Sequence, residues 1–555
     1  MLKTRESRDT WLFWIAALLI VGAGIGLRDP WPADEPRFAL AAKQMVESGD
    51  WLFPHRGIEL YSDKPPMLMW LQATFFDIFR NWRVAFLLPS LLATLMTLAC
   101  VKDLGKRLWT PKIGLWAAWA VLLAFQFTYQ AKKAQIDPLV TGFITLANYG
   151  LLRHLLLGPN WRWWWIGWFA AGLGTITKGV GVLALLMLAP AIYASVRGWQ
   201  SRGERMALHV RDWRFWIAPL FFVAAMALWL LPMVSAVQAR HDPVYDAYLN
   251  DILFHQTAKR YAQSWDHAQP AWYFIVVIVG MWLPAMLALP WAIPAWRRRL
   301  QRHDARYLLP LVWGALMVVF FSIPSGKRDV YIMPVLPMWG LVLAPLLPGL
   351  LRKAWPRRLL AIAMSVMAIG FVAGGALMAF GHSKSITRFL TDRGLESGAG
   401  IGWMLLAMGA GVIVALAWWR RRLEIATIVS LGTMWILFSV FGYPLLNDSS
   451  SARGLMRDVG ARIGPDAQLA MLGWKEQNLL MADRPAVNFG FTRDMQVQTA
   501  DAIHWLQADP EHRWLLVQDT ALPKCIPQSA LELVPHANRR TWYLVRGGAA
   551  MACPH

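Results

Sequence analysis

Acidic side chains are scarce in this sequence: 34 Asp and Glu stand against 55 Lys and Arg in 555 residues, a formal net charge of +21. Cysteine is rarer still, with Cys100, Cys525 and Cys553 its only occurrences. There is no Walker A pattern, no strand-borne dinucleotide fingerprint, no Cys-x-x-Cys and no His-Glu-x-x-His. Those absences argue against an ATP-driven pump and against motif-borne redox or zinc-peptidase chemistry. Charge is also nearly missing from inside the apolar runs, whereas a lipid flippase or transporter is expected to carry charges deep within several spans.

What is abundant is apolar surface. The chain is 57% hydrophobic with 34 Trp and a mean hydropathy of +0.36, far from soluble composition. Apolar runs close to the roughly 20 residues that span a bilayer recur at 11–27, 84–101, 113–130, 138–157, 161–177, 179–196, 213–235, 271–294, 308–323, 330–350, 359–381, 401–419 and 424–445. The pattern predicts a polytopic α-helical membrane protein with about thirteen transmembrane helices. The first run has no small-residue cleavage site, so the N-terminus is expected to stay attached.

Charge arbitrates the one ambiguous run, Pro65 to Phe79. If it lies on or dips into the membrane without crossing, nearly every basic cluster falls on one side, from Lys3/Arg5/Arg8 to Arg297/Arg298/Arg299 and Arg420/Arg421/Arg422. This parcelling into short loops, rather than into a domain or tail, gives the positive charge a topological cause and speaks against nucleic acid. The opposite side then keeps basic residues that break the rule: Arg37, Arg56, Lys64, Lys132/Lys133, Lys178, Arg240, Lys259/Arg260 and Lys327/Arg328. Converging from separate loops, they suit an anionic ligand; singly, each could equally snorkel to lipid headgroups.

The polar interval from Asp34 to Pro66 and the long outer loop from Ser235 to Pro270 belong to that side. The second carries His241, Tyr245, His255, Arg260 and His267, and long ordered loops are more often functional than ornamental. From Asp448 the composition turns soluble. Ser451–Ile463 and Ala500–Ala508 have helical spacing, Gln468–Leu472 and Trp514–Gln518 read as strands, and a small α/β domain is expected. In an oxidising compartment Cys525 and Cys553 could pair. The predicted division is 1–446 as a transmembrane catalytic domain, with juxtamembrane segments 31–82 and 236–270, and 447–555 as the α/β domain.

Asp34-Glu35-Pro36-Arg37-Phe38, Glu47-Ser48-Gly49-Asp50-Trp51 and Asp63-Lys64-Pro65-Pro66 resemble the N-terminal signature of the lipid-linked glycosyltransferases of the protein-mannosyltransferase-like superfamily. Ile136-Asp137, Thr177-Lys178-Gly179 and Ser325-Gly326-Lys327 followed by Tyr331-Ile332-Met333-Pro334 look like its later motifs. Length, outer loop and terminal domain look most like the 4-amino-4-deoxy-L-arabinose transferases of lipid A. The resemblance implies a GT-C fold in a bacterial inner membrane, an active site facing the periplasm, an undecaprenyl-phosphate-linked sugar donor and a lipid A phosphate acceptor. Two departures stand out: Ala131-Lys132-Lys133 replaces an Arg-containing segment, and Arg328-Asp329 replaces a more apolar pair.

Asp34 is the candidate catalytic carboxylate, as base or as stabiliser of positive charge on the sugar; the bland alternative is an N-cap on the following helix. Glu35 reads as a supporting or capping residue. Lys64, Arg260, Lys327 and Tyr331 are candidates for the donor phosphate, with Arg37 and Lys178 beside them. Asp137 is assigned to the substrate amine or to an ion pair with Lys178. Asp63, His255 and His267 are weak candidates for a divalent metal such as zinc. Rival readings are the same fold with another sugar and acceptor, such as a protein O-mannosyltransferase, a flippase or transporter, and a structural assembly protein.

Overall fold

A computed structural model describes residues 5–253, 268–381, 383–391, 393–395, 397–537 and 540–553. Helices dominate it up to residue 463. The first nine are α1 (Arg5–Gly22), α2 (Glu35–Ser48), α3 (Met67–Phe79), α4 (Trp82–Ala85), α5 (Leu88–Leu108), α6 (Pro111–Leu122), α7 (Phe125–Ala131), α8 (Ile136–Leu157) and α9 (Trp161–Lys178). Among the described residues six helices are long and apolar enough to cross a membrane, or up to eight if two sharply bent pairs each count as one span. One of those pairs is α6 with α7, bent by 72°.

Several of the apolar runs are not continuous helices. The run 179–196 starts as a 3-10 helix, Val180–Met187, and becomes α-helical only at Leu188. The run 330–350 is split into Asp329–Ile332, Val335–Leu343 and Leu347–Leu350, with Pro334 and Pro348 at the breaks, where proline removes a donor. The ambiguous run becomes α3, whose 13 residues rise about 20 Å, short of the ~30 Å hydrocarbon core. Elsewhere small residues permit tight packing: a Cβ on Gly150 of α8 would collide with the Trp163 carbonyl and Gly167 of α9.

Two short antiparallel ribbons, β1 (His55–Arg56) with β2 (Glu59–Leu60) and β3 (Gln200–Ser201) with β4 (Glu204–Arg205), interrupt the helical region. The C-terminal part forms a mixed sheet from β5 (Gln468–Leu472), β6 (Ala486–Asn488), β7 (Arg513–Gln518), β8 (Glu532–Ala537) and β9 (Arg540–Arg546), in the order β6-β5-β7-β9-β8. Alternation along β5 sends Leu469 and Met471 to one face and Ala470 and Leu472 to the other. The first face packs on the helix Arg453–Ile463 and on Ala39 and Leu40 of α2. The second covers the helix Met495–Ala508 and the chain end, where Cys525 and Cys553 are joined in a disulfide.

α2 therefore sits between the two halves. Phe38, Ala41, Ala42 and Met45 face Tyr61, Leu68, Met69 and the start of α8, while Ala39 and Leu40 join the core of the sheet. Its C-terminus closes with Gly49 at φ +74°, the left-handed cap that glycine adopts at least cost.

Candidate active site at the head of α2

Asp34 occupies the N-cap position of α2 but makes no capping hydrogen bond. Its carboxylate instead accepts from Arg328 Nη2 at 3.0 Å and Gln135 Nε2 at 3.1 Å, with Arg37 Nη1 at 3.9 Å. Burial tends to raise the Asp34 pKa, but the Arg328 hydrogen bond and the charges of Arg328, Arg37 and Lys178 outweigh it. The group is held below the ordinary carboxylate value.

Glu35, next in the chain, does a different job. It is 3% exposed and accepts a two-pronged pair from Arg28 at 2.5 and 2.7 Å, together with the backbone N–H groups of Trp31 and Ala134, both at 2.8 Å. Arg28 donates onward to the Lys132 carbonyl at 2.8 Å and is boxed by Trp31, Phe86 and Tyr443. This buried fork pins the head of α2 to residues 132–134, and thereby brings Gln135 within reach of Asp34.

A second carboxylate–cation pair lies beside the first. Lys178, at the end of α9, is ion-paired with Asp137 at the start of α8. The Lys178 ammonium also sits 5.1 Å from the centre of the Tyr331 ring. Asp34, Arg328, Asp137, Lys178 and Tyr331 thus form one patch drawn from four separate stretches of chain. With Arg37 beside Asp34, two carboxylates held among the three cations Arg328, Lys178 and Arg37 suit a substrate that carries both a phosphate and a developing positive charge.

The description "dolichyl-phosphate-mannose-protein mannosyltransferase" belongs to the family model that matches residues 63–229. An undecaprenyl phosphate-α-4-amino-4-deoxy-L-arabinose arabinosyl transferase of Pseudomonas savastanoi pv. phaseolicola is 29% identical over 342 residues, 61% of either chain. Its counterpart in Pseudomonas paraeruginosa is 27% identical over 447 residues, 78% of this chain and 75% of that one. In three dimensions, ArnT from Cupriavidus metallidurans, solved bound to undecaprenyl phosphate, superposes with a TM-score of 0.75 over 98% of this chain and 99% of its own at 20% identity. The chain shares the fold of ArnT.

Other expected members of the GT-C site are placed differently. Lys64 donates to the Asp63 carbonyl at 2.8 Å. Arg37 lies between Asp34 and Glu476 of the C-terminal part, whose carboxylate it meets at 3.2 Å. Lys327, expected on the donor phosphate, is 4% exposed, and its ammonium reaches the carbonyls of Pro324, Ser325 and Gln269 at 2.6, 3.4 and 3.0 Å. Three carbonyls engage all three of its donors and clamp the loop, while its neighbour Arg328 projects to Asp34. Asp63 lies 3.8 Å from Arg56. Arg260, His255 and His267 fall outside the described residues. Among the described residues no group of three or more His, Cys, Asp or Glu side chains is arranged to hold a metal.

The residues that sequence reasoning passes over are Arg28, Gln135 and Glu476; Arg328 stands among the outer basic residues and as a departure, but its pairing with Asp34 is not read from the sequence. The dependence of Asp34 on Arg328 is testable. Arg328→Gln removes the hydrogen bond and charge that lower the Asp34 pKa. The acidic limb of the pH–activity profile is expected to move to higher pH, because the carboxylate then protonates earlier as pH falls. An unmoved acidic limb in the folded variant would separate Asp34 from the titration that controls activity.

Proposed function

We propose that this GT-C chain is an inner-membrane transferase that moves 4-amino-4-deoxy-L-arabinose from undecaprenyl phosphate to a phosphate group of lipid A. In this reading about thirteen spans carry the site to the periplasmic face, and segments 31–82 and 236–270 and the α/β domain 447–555 lie on that side. The observation that carries it is the Asp34–Arg328 pair beside Asp137–Lys178 and Tyr331, in a chain whose relatives are named for this lipid-linked sugar donor.

An oxygen of the acceptor phosphate attacks the anomeric carbon. The bond from that carbon to the bridging oxygen of undecaprenyl phosphate breaks, and its electron pair leaves with the oxygen. The nucleophile is already anionic, so no strong base is needed. Asp34 serves the positive charge that develops on the sugar, and Asp137 the sugar amine. Arg328, Arg37, Lys64, Lys178 and Arg260 neutralise charge growing on the departing phosphate, with Tyr331 beside them and Lys327 setting the loop that aims Arg328. The cationic sugar weakens attraction between lipid A and cationic peptides.

Mass spectrometry of lipid A tests this in a host that makes the lipid-linked donor but lacks its own transferase. Expression of this chain is expected to add one aminoarabinose mass to lipid A. No gain from a well-expressed, membrane-inserted chain would rule out this donor–acceptor pair.

A further inference from the structure

A cavity of about 620 Å³ opens on the other side of α2, between its Ala39 and Lys43, the head of the span that begins at Trp82, and the C-terminal part of the chain. Residues two apart on a helix point ~200° away from each other, so Ala39 faces away from Arg37 and the Asp34 patch. Pro30, Trp82, Phe86 and Met481 supply apolar walls. The charged lining comprises the five cations Lys43, Arg80, Arg83, Arg453 and Arg457 against the two carboxylates Asp29 and Asp483.

Asp29 is fully engaged by Arg83 and Arg453, and Asp483 by Arg484. The other three cations hold only surface pairs: Arg80 with Asp77 at 3.1 Å, Arg457 with Asp448 at 3.0 Å and Lys43 with Glu47 at 3.7 Å, each carboxylate exposed. Pairs of this kind are weak and readily exchanged for a better anion. The mouth lies where the Trp82–Leu108 span starts, and Ile78 and Phe79 are exposed on the adjoining helix. A ligand here can lay an acyl chain against the apolar helix and bring its headgroup to the arginines.

We propose that this cleft binds the phosphate headgroup of an anionic membrane lipid, with preference for a phosphomonoester, whose charge approaches −2. It is separate from the Asp34 patch and does not rest on the identity of the sugar transferred.

Native mass spectrometry of the full-length protein in detergent tests it, with dioleoyl phosphatidic acid as probe, dioleoyl phosphatidylcholine as zwitterionic control and inorganic phosphate as free anion. Phosphatidic acid is expected to bind more tightly than phosphatidylcholine. The double variant Arg80→Gln/Arg457→Gln is expected to bind it about tenfold more weakly. Arg83 and Arg453 are left intact because they hold Asp29. Should the double variant not elute as a folded protein, Lys43→Gln alone is expected to weaken binding about threefold. Equal binding of both lipids, or undiminished binding by the folded variants, overturns the proposal. Competition by inorganic phosphate as strong as that by the lipid makes it a free-anion site and overturns the lipid assignment.

Discussion

Asp34→Asn is expected to reduce sugar transfer about 10²–10⁴-fold while leaving the protein folded and its affinity for the lipid-linked donor equal or higher. The substitution keeps the shape of the side chain and its place at the head of α2, where the carboxylate makes no capping bond that the helix would lose. What disappears is the negative charge between Arg328 and Arg37. Both guanidiniums then become more available to a donor phosphate, which favours the ground state. The positive charge that develops on the sugar meanwhile loses its counter-charge, which disfavours the transition state. A fall in kcat with KM unchanged or lowered is the signature, read by single-turnover transfer from purified donor to lipid A. A variant with normal kcat would make Asp34 a structural residue, and the central carboxylate would then be sought at Asp137.

The contrast between Asp34 and Glu35 marks the limit of what sequence could show. That two acids and an Arg began a helix after the first span was legible, because Pro36 and the apolar spacing through Met45 announce α2. Which acid faces the site was not, since adjacent helical residues differ by ~100° in direction and the choice depends on Arg28, an unremarkable residue at the end of the first apolar run. Only the folded chain brings Arg28 against the Lys132 carbonyl and Glu35 against the Ala134 N–H. The alternative of a Lys178–Asp137 ion pair was visible beforehand and is what the structure contains. Lys327 and Arg328 show the opposite difficulty: consecutive cations in one loop, where the buried one holds carbonyls and the half-exposed one reaches the carboxylate. Strands β5 and β7 were readable from their apolar runs, but nothing local in Glu476 signals that it meets Arg37, 439 positions earlier.

Asp29→Asn is the substitution expected to cost most in stability, about 2–3 kcal/mol, with the C-terminal part loosening before the membrane helices. Asp29 is 2% exposed, and its two oxygens accept from Arg83 at 2.9 and 3.0 Å, from Arg453 at 2.5 and 2.8 Å and from Asn447 Nδ2 at 2.7 Å. These partners come from α4, from the helix Arg453–Ile463 and from the helix Tyr443–Ser450, so one carboxylate joins the first loop to both helices that lead into the sheet. An asparagine keeps the size but turns one acceptor into a donor that faces two guanidiniums. Arg83 and Arg453 are partly exposed and can rehydrate, which holds the cost below that of stranding a fully buried cation. Burial opposes ionisation of Asp29, yet hydrogen bonds from Arg453, Arg83 and Asn447 lower its pKa from the usual 3.8 to about 2. With the folded value below the unfolded one, the contribution is fully present above about pH 4 and is lost as pH falls towards 2. Limited proteolysis across that window is expected to release the C-terminal part of the parent only as Asp29 protonates, and to release that of Asp29→Asn already at neutral pH. Equal protease resistance of the two at pH 7 would show that the apolar contact of Ala39 and Leu40 with the sheet holds the halves together without the charge.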